Sequence, residues 1–279
     1  MDTQDREFLK NNSKNYTINE MVEYFNEKYT KKQIKNFVTN NNLTYKRLSK
    51  NQRSAIMSSI VSHNNKNRVY NRTKYDRDYF KNWSKNMAYV FGLWCADGNI
   101  CMTSGGYYFS IKLKQSDRYL LENILKDMNS DHKIYEKSDG SCEICFSSKD
   151  FYNDLLLLGG KERKSLILEF PNVPTEYINH FIRGYFDGDG SINKNHTGYL
   201  IGTYEFCASI KEILQNQGIE ISSIKQKHPE NGKDNNCYCL NIFKQSEFKK
   251  FENFMYQDTD KNSLYLKRKD VREFYEICA

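Results

Sequence analysis

The chain has 279 residues, 38% of them apolar and 14% aromatic, with a formal net charge of +7. That length exceeds one ordinary domain, and the aromatic content excludes a disordered chain. No apolar run approaches the roughly 18 residues of a spanning helix, and the opening MDTQDREFLKNN lacks the apolar core of a signal peptide, so the expectation is a cytoplasmic chain with no membrane partner, organellar placement staying open.

Charge is unevenly placed. Residues 1–86 hold 18 Lys/Arg against 8 Asp/Glu, whereas the remainder holds 24 against 27. A basic N-terminal third points to a polyanionic partner, nucleic acid before membrane, because the stretch is rich in Asn and Ser and has no sustained apolar face.

Three short helices are expected first. Residues 4–12 form one. In INEMVEYFNEK the apolar Ile18, Met21, Val22 and Phe25 recur at helical spacing behind Thr17 as N-cap. In KKQIKNFVTNN, Ile34, Phe37 and Val38 share one face while Lys31, Lys32 and Lys35 point outward. Only Tyr29–Thr30 separates the last two helices in this reading. Residues 1–44 thus fit a helix-turn-helix whose lysines meet DNA; a plain helical cap with a solvated lysine face fits as well. Residues 45–83, with 10 Lys/Arg against 2 Asp/Glu, read as a basic linker that could lie along phosphates.

From residue 84 the text repeats. SKNMAYVFGLWCADG reads as a helix. NICMTS and YYFSIKLK form a hairpin about Gly105–Gly106, and DRYLLENILKDM is helical. HKIYEK and SCEICFSS form a second strand pair, followed by the helix KDFYNDLLLLG. The order recurs in TEYINHFIRGYFDGDG, SINKNHTGYLIGT, EFCASIKEILQNQ, EISSIKQKH, CYCLNIF and SEFKKFENFMY. Each unit is α-β-β-α-β-β-α, giving repeats at 84–174 and 175–279 and an α+β fold of two pseudo-symmetric halves. Eight Cys without a secretory signal read as reduced thiols. Cys142 and Cys145, in strand text, face opposite sides, which argues against a zinc site.

The equivalent segments GLWCADG and GYFDGDG each place Gly on an apolar helix and end in Asp-Gly. Gly92 and Ala96, like Gly184 and Gly188, leave a smooth stripe along which two helices can nearly touch. Parallel packing then brings Asp97 and Asp189 together. A carboxylate at a helix C-terminus is disfavoured, and two of them repel. A divalent cation, with Mg²⁺ usual beside phosphates, resolves both problems, helped by the free final-turn carbonyls of Ala96 and Gly188. One Asp-Gly alone reads as a turn; the repeat is what makes the pair a candidate site.

These segments resemble the two signature motifs of the LAGLIDADG homing endonucleases in their single-chain, two-repeat form, over about residues 84–275. The resemblance implies a saddle-shaped sheet over the DNA major groove and metal-dependent hydrolysis of both strands of a long, asymmetric double-stranded DNA site by a monomer. It makes Asp97 and Asp189 the metal ligands. It makes Gln115 the polar residue ordering water near the metal and Lys149 the basic residue near the scissile phosphate, with Lys244 as a possible substitute in the second half. It assigns phosphate contacts to Arg163 and Lys164 in KERKS and to Lys267, Arg268 and Lys269 in YLKRK. Cys95 stands where the family often has Asp, a position Asp187 fills in the second repeat. Strand alternation puts Phe109, Ile111 and Leu113 on a buried face and Ser110, Lys112 and Lys114 on a DNA face, with Lys225 and Lys227 analogous in the second half. An RNA-splicing maturase that binds its intron RNA and a DNA-binding regulator without cleavage are the alternatives.

Overall fold

The computed structural model describes residues 1–55, 57–58, 73–227 and 236–270. The chain divides into two compact units, Met1–Arg72 and Thr73–Ala279. The centre of the expected linker, at 56 and 59–72, and the end of the strand read at 220–228 fall outside the described residues.

The first unit includes the helices α1 (Thr3–Asn12), α2 (Ile18–Tyr24) and α3 (Lys31–Asn40), and residues 50–55 are helical as well. Both α2 and α3 begin with reciprocal caps, Thr17 with Glu20 and Thr30 with Gln33, so two otherwise orphaned amide donors are satisfied at each start. Leu9, Met21, Phe25, Tyr29, Ile34 and Val38 form a separate small core. The connection from α2 to α3 is longer than expected. It runs over residues 25–30 and turns on Asn26 and Glu27, both at positive φ (47° and 59°), a conformation Asn tolerates and Glu adopts at some cost. The exposed lysines Lys31, Lys32 and Lys35 lie on α3 as the periodicity predicts.

The second unit contains the two expected repeats. The first comprises α4 (Lys85–Asp97), β1 (Gly98–Thr103), β2 (Gly106–Lys114), α5 (Arg118–Asp127), β3 (Ile134–Glu136), β4 (Ser141–Ser147) and α6 (Lys149–Leu157). The second comprises α7 (Ile178–Asp189), β5 (Gly190–Ile192), β6 (Gly198–Gly202), α8 (Tyr204–Asn216), β7 (Ser223–Gln226), β8 (Tyr238–Ile242) and α9 (Gln245–Met255). Each repeat makes one antiparallel four-stranded sheet, ordered β1-β2-β4-β3 and β5-β6-β8-β7. The corresponding hairpins pair Gly98 with Ile111 and Gly190 with Leu200. Each sheet therefore begins at the residue that follows a motif aspartate.

One apolar core joins the halves. Its centre is α4, buried all round from Met87 to Cys95, against α7, buried from Asn179 to Asp187. Phe109, Ile111 and Leu113 point into it, and Lys112 and Lys114 point out, as alternation requires. Residues 73–83 depart from the linker reading. Tyr79 and Phe80 are buried and Tyr75 and Trp83 pack on the same core, while Lys74 and Asp76 hydrogen-bond to the turn after α5. Burying large side chains of this kind contributes roughly 1.5–3 kcal/mol each, which outweighs the polar composition around them.

Candidate active site

Helices α4 and α7 touch backbone to backbone. A Cβ added at Gly92 would stand 2.0 Å from the Phe181 carbonyl oxygen, and one at Gly184 would stand 2.0 Å from that of Tyr89. A Cβ at Gly188 would lie 2.3 Å from the Ala96 methyl and 3.1 Å from Asp97 Oδ2. Contacts at 92, 96, 184 and 188 advance in the same sense along both helices, so the packing is parallel. Asp97 and Asp189 consequently finish at the same end, each as the last residue of its helix.

Each carboxylate lines its own cleft. The Asp97 cleft, about 520 Å³, is bounded by Gly188, Gly190, Lys112, Lys114, Asp117, Ser141, Arg268 and Lys269 among others. The Asp189 cleft, about 230 Å³, is bounded by Ala96, Cys95, Lys164, Tyr185, Thr203 and Cys237 among others. The first is open and cationic; the second is narrower and lined more by apolar groups and thiols. Protein packed around both carboxyls disfavours their charged forms. Asp189 is pushed up to about 6 by burial first and by Asp97 second, against the opposing pull of Lys164, Lys269 and Lys227. Asp97 reaches solvent at the cleft mouth, yet it too is raised, burial outweighing Lys269, Lys164 and Arg268.

Two lysines expected on the DNA surface are instead buried at the helix ends. Lys164 Nζ donates to the Gly98 carbonyl and sits 5.0 Å from the Trp94 ring centre. Lys269 Nζ donates to the carbonyls of Phe186 at 2.8 Å, Asp187 at 2.7 Å and Gly190 at 2.6 Å, with Gly188 at 3.3 Å. It also lies 5.5 Å from the Phe186 ring centre. Trp94 and Phe186 are equivalent positions of the repeat, so the two halves close their helix C-termini in the same way. A cation there meets the negative end of the helix dipole and the final-turn carbonyls. Burial holds Lys269 down to about 8 and lowers Lys164 as well.

The first motif's Cys95 and the second's Asp187 are both buried. Asp187 Oδ2 accepts from Tyr89 Oη at 2.6 Å and from the Leu266 amide at 2.7 Å, and burial pushes it up to about 6. It fastens α7 to α4 and to the C-terminal segment, away from both clefts.

Other expected residues fall elsewhere. Gln115 Nε2 donates to Glu136 Oε1 at 3.1 Å. Gln115 follows the end of β2, in the turn leading to α5, and lines neither cleft, whereas Lys112 and Lys114 line that of Asp97. Lys149 lies beyond Ser147, at the opposite end of β4 from the cleft residue Ser141, about 20 Å away at strand rise, where it rests over the Tyr107 ring. Lys244 pairs with Glu220 at 2.6 Å and lines neither cleft. Ser110 is half-buried on the Lys112 face; Arg163, Lys225 and Lys267 are exposed, the last over the Tyr119 ring. Asp117 was not anticipated. It is buried in the Asp97 cleft and accepts from Arg268 Nε at 3.0 Å, which ties the second repeat's tail to the first.

The residues present fit a hard divalent cation. The donors are two carboxylates, both raised chiefly by burial, and main-chain oxygens at two helix ends. The Gly188 carbonyl is already shared with Lys269. Among the described residues no cluster of three or more His, Cys, Asp or Glu gathers, so the carboxylate pair is the candidate centre. The seven cysteines among the described residues are free, and no helix among those residues is long and apolar enough to cross a membrane.

Comparison with known families matches one segment, residues 176–255, which is similar to the LAGLIDADG-like domain. It holds α7 with Asp189, the whole second sheet and α9, and the first repeat runs through the same order of elements. Curated proteins give no match. Among solved structures, the chain is similar to mesophilic variants of the homing endonuclease I-DmoI, at 21% identity over 66% of this chain and 98% of that one, TM-score 0.45. It is also similar to the LAGLIDADG meganuclease I-AabMI bound to uncleaved DNA, at 14% identity over 70% and 90%, TM-score 0.46. An I-DmoI variant solved with nicked target DNA and 2 mM Mn is 20% identical over 66% and 99%, TM-score 0.46.

Proposed function

We propose that the chain is a single-chain homing endonuclease that hydrolyses both strands of a double-stranded DNA site, with Asp97 and Asp189 holding Mg²⁺ or another divalent cation. The backbone contact of α4 and α7, which delivers both carboxylates to one end of a two-sheet unit, is the observation that carries this reading.

Bound there, a divalent cation would make water a better nucleophile and stabilise the leaving oxygen of a phosphodiester. The chain's own groups set the rest. The glycine stripe fixes the spacing of the carboxylates. Lys164 and Lys269 supply fixed positive charge beside them and hold the two helix ends closed. Lys112, Lys114 and Arg268 line the Asp97 cleft, where they can pair with phosphate oxygens. On the second sheet Lys225 and Lys227 are the counterparts, Lys227 close enough to favour the charged form of Asp189. Because the repeats differ in sequence, the DNA site they fit is asymmetric.

The test is selection from a randomised duplex library incubated with the protein and Mg²⁺, with ends captured and sequenced. A recurrent site carrying a double-strand break, absent with EDTA, is expected. Absence of any enriched break, with tight binding to an intron RNA or to uncut DNA, overturns cleavage in favour of a maturase or a regulator.

A further inference from the structure

We infer that the N-terminal unit carries an anion pocket, built by Lys46, Arg47 and Arg53, that grips a backbone phosphate of duplex DNA. The inference rests on the duplex-DNA reading above and adds a contact site that neither motif nor cleft provides.

The segment after α3 reads in the sequence as the start of a linker, but its first part is fastened to the helical unit. The Lys46 amide donates to the Tyr16 carbonyl at 3.0 Å. The Ser49 amide donates to Gln52 Oε1 at 2.9 Å and the Gln52 amide to Ser49 Oγ at 3.2 Å, while the Arg53 amide donates to the Ser49 carbonyl. Those bonds cap the helical segment at 50–55 that carries Arg53. Arg47 lies 5.8 Å from the Tyr45 ring centre, a stacking that restricts the guanidinium without hiding it. The three cations surround a cavity of about 370 Å³ whose other walls are Thr17, Ile18, Asn19, Tyr45 and Leu48.

Charge decides the ligand. The one carboxylate nearby, Glu20, accepts from the Thr17 amide at 2.7 Å and is thereby occupied in the α2 cap, although it also feels Lys46. No ion pair to Lys46, Arg47 or Arg53 occurs among the described residues. The seven-residue α2 is too short to add a helix-end field, so the anion affinity comes from the side chains. All three are exposed and face an open cavity. A site for a small free anion encloses its ligand and buries its donors, whereas exposed cations on an open wall match a phosphate in a continuous backbone. Guanidinium groups favour such oxyanions through paired donors.

The full-length protein tests this. Binding to a duplex of arbitrary sequence is measured across a salt series for the parent, for Arg47→Gln/Arg53→Gln, and for the charge-matched Lys10→Gln/Lys14→Gln on the surface of α1 and its following turn. Each phosphate contact adds about 0.9 to the slope of log affinity against log salt. The pocket variant should bind more weakly and its slope should fall by about one, with the α1 variant close to the parent. Equal slopes in parent and pocket variant, or equal falls in both variants, overturn the proposal. Calorimetric titration with inorganic phosphate separates the sources: saturable uptake by the parent, lost in the pocket variant without any change in DNA binding, assigns the pocket to a free anion and overturns the DNA contact. Mg²⁺-dependent cleavage is scored in the same preparations. A parent that cleaves while the slopes coincide refutes the pocket alone, and a slope difference without cleavage refutes the nuclease reading alone.

Discussion

Replacing Gly184 by Ala places a methyl carbon 2.0 Å from the Tyr89 carbonyl oxygen, 2.8 Å from its carbon and 2.9 Å from the Leu93 amide nitrogen. All three are backbone atoms of α4, so no side chain can swing aside. Ordinary contact begins near 3.4 Å, and relief therefore requires the helices to part by about 1.4 Å, a large displacement in an interior packed this closely. Ala favours a helix over Gly by about 1 kcal/mol, while overpacking costs about 1–3 kcal/mol and sometimes more. With only backbone atoms to yield, the cost lies at the upper end of that range, and a net loss of about 2 kcal/mol is expected in urea unfolding, with an unchanged dependence on denaturant. Because α4 and α7 also set the spacing of Asp97 and Asp189, cleavage should fall further than stability: misplacement by about 1 Å can cost on the order of 100-fold in rate. A Gly184→Ala protein with an unfolding midpoint at or above the parent's, and with full cleavage, would refute the backbone contact.

Asp187→Asn retains an oxygen for Tyr89 and Leu266 and should keep both fold and cleavage, whereas Asp187→Ala should lose about 1–3 kcal/mol by orphaning both donors; equal damage from the two substitutions contradicts a structural role. His180 is held down to about 4 by burial, then by Arg183 and Lys85. The folded protein thus binds fewer protons there than the unfolded chain between about pH 4 and the ordinary value of 6.5. Its contribution is intact above that window and is lost as pH falls through it, by up to about 3 kcal/mol. His180→Gln should accordingly lose less stability than the parent between about pH 7 and pH 4.5, and equal losses reject the assignment. Lys149→Ala should leave the maximal cleavage rate within about twofold, since one exposed contact far from the clefts is worth little; a loss above tenfold would return Lys149 to the chemistry.

The architecture was legible because two periodicities agree. Helical text ending in Asp-Gly recurs at a fixed interval, and each copy is followed by strands whose alternation on β2 sorts Phe109, Ile111 and Leu113 from Lys112 and Lys114. The close approach of α4 and α7 was legible in Gly92, Ala96, Gly184 and Gly188, whereas its parallel sense is shown by which residues meet across the helices. Lys164 and Lys269 were misread because a lysine within a basic cluster looks solvated, and which way it points is set by the closing turn. Arg163 takes a left-handed conformation, φ 51°, immediately before the buried Lys164. Gln115 lies just past the end of β2, where strand parity no longer orients a side chain, so its bond to Glu136 had no signal in the sequence. Residues 73–83 carried a signal that the charge count obscured, namely Tyr75, Tyr79, Phe80 and Trp83 in one short stretch. Asp117 offered none: its partner Arg268 is distant in sequence and reaches it only through the fold.

The most direct measurement of the central claim follows each DNA strand separately during Mg²⁺-dependent cleavage of a selected site by the parent, Asp97→Asn and Asp189→Asn. Both strands should be cut by the parent, and either substitution should abolish the double-strand break while leaving DNA binding and the unfolding midpoint largely unchanged. Undiminished double-strand cleavage by either variant would show that the paired carboxylates are not the metal-binding centre.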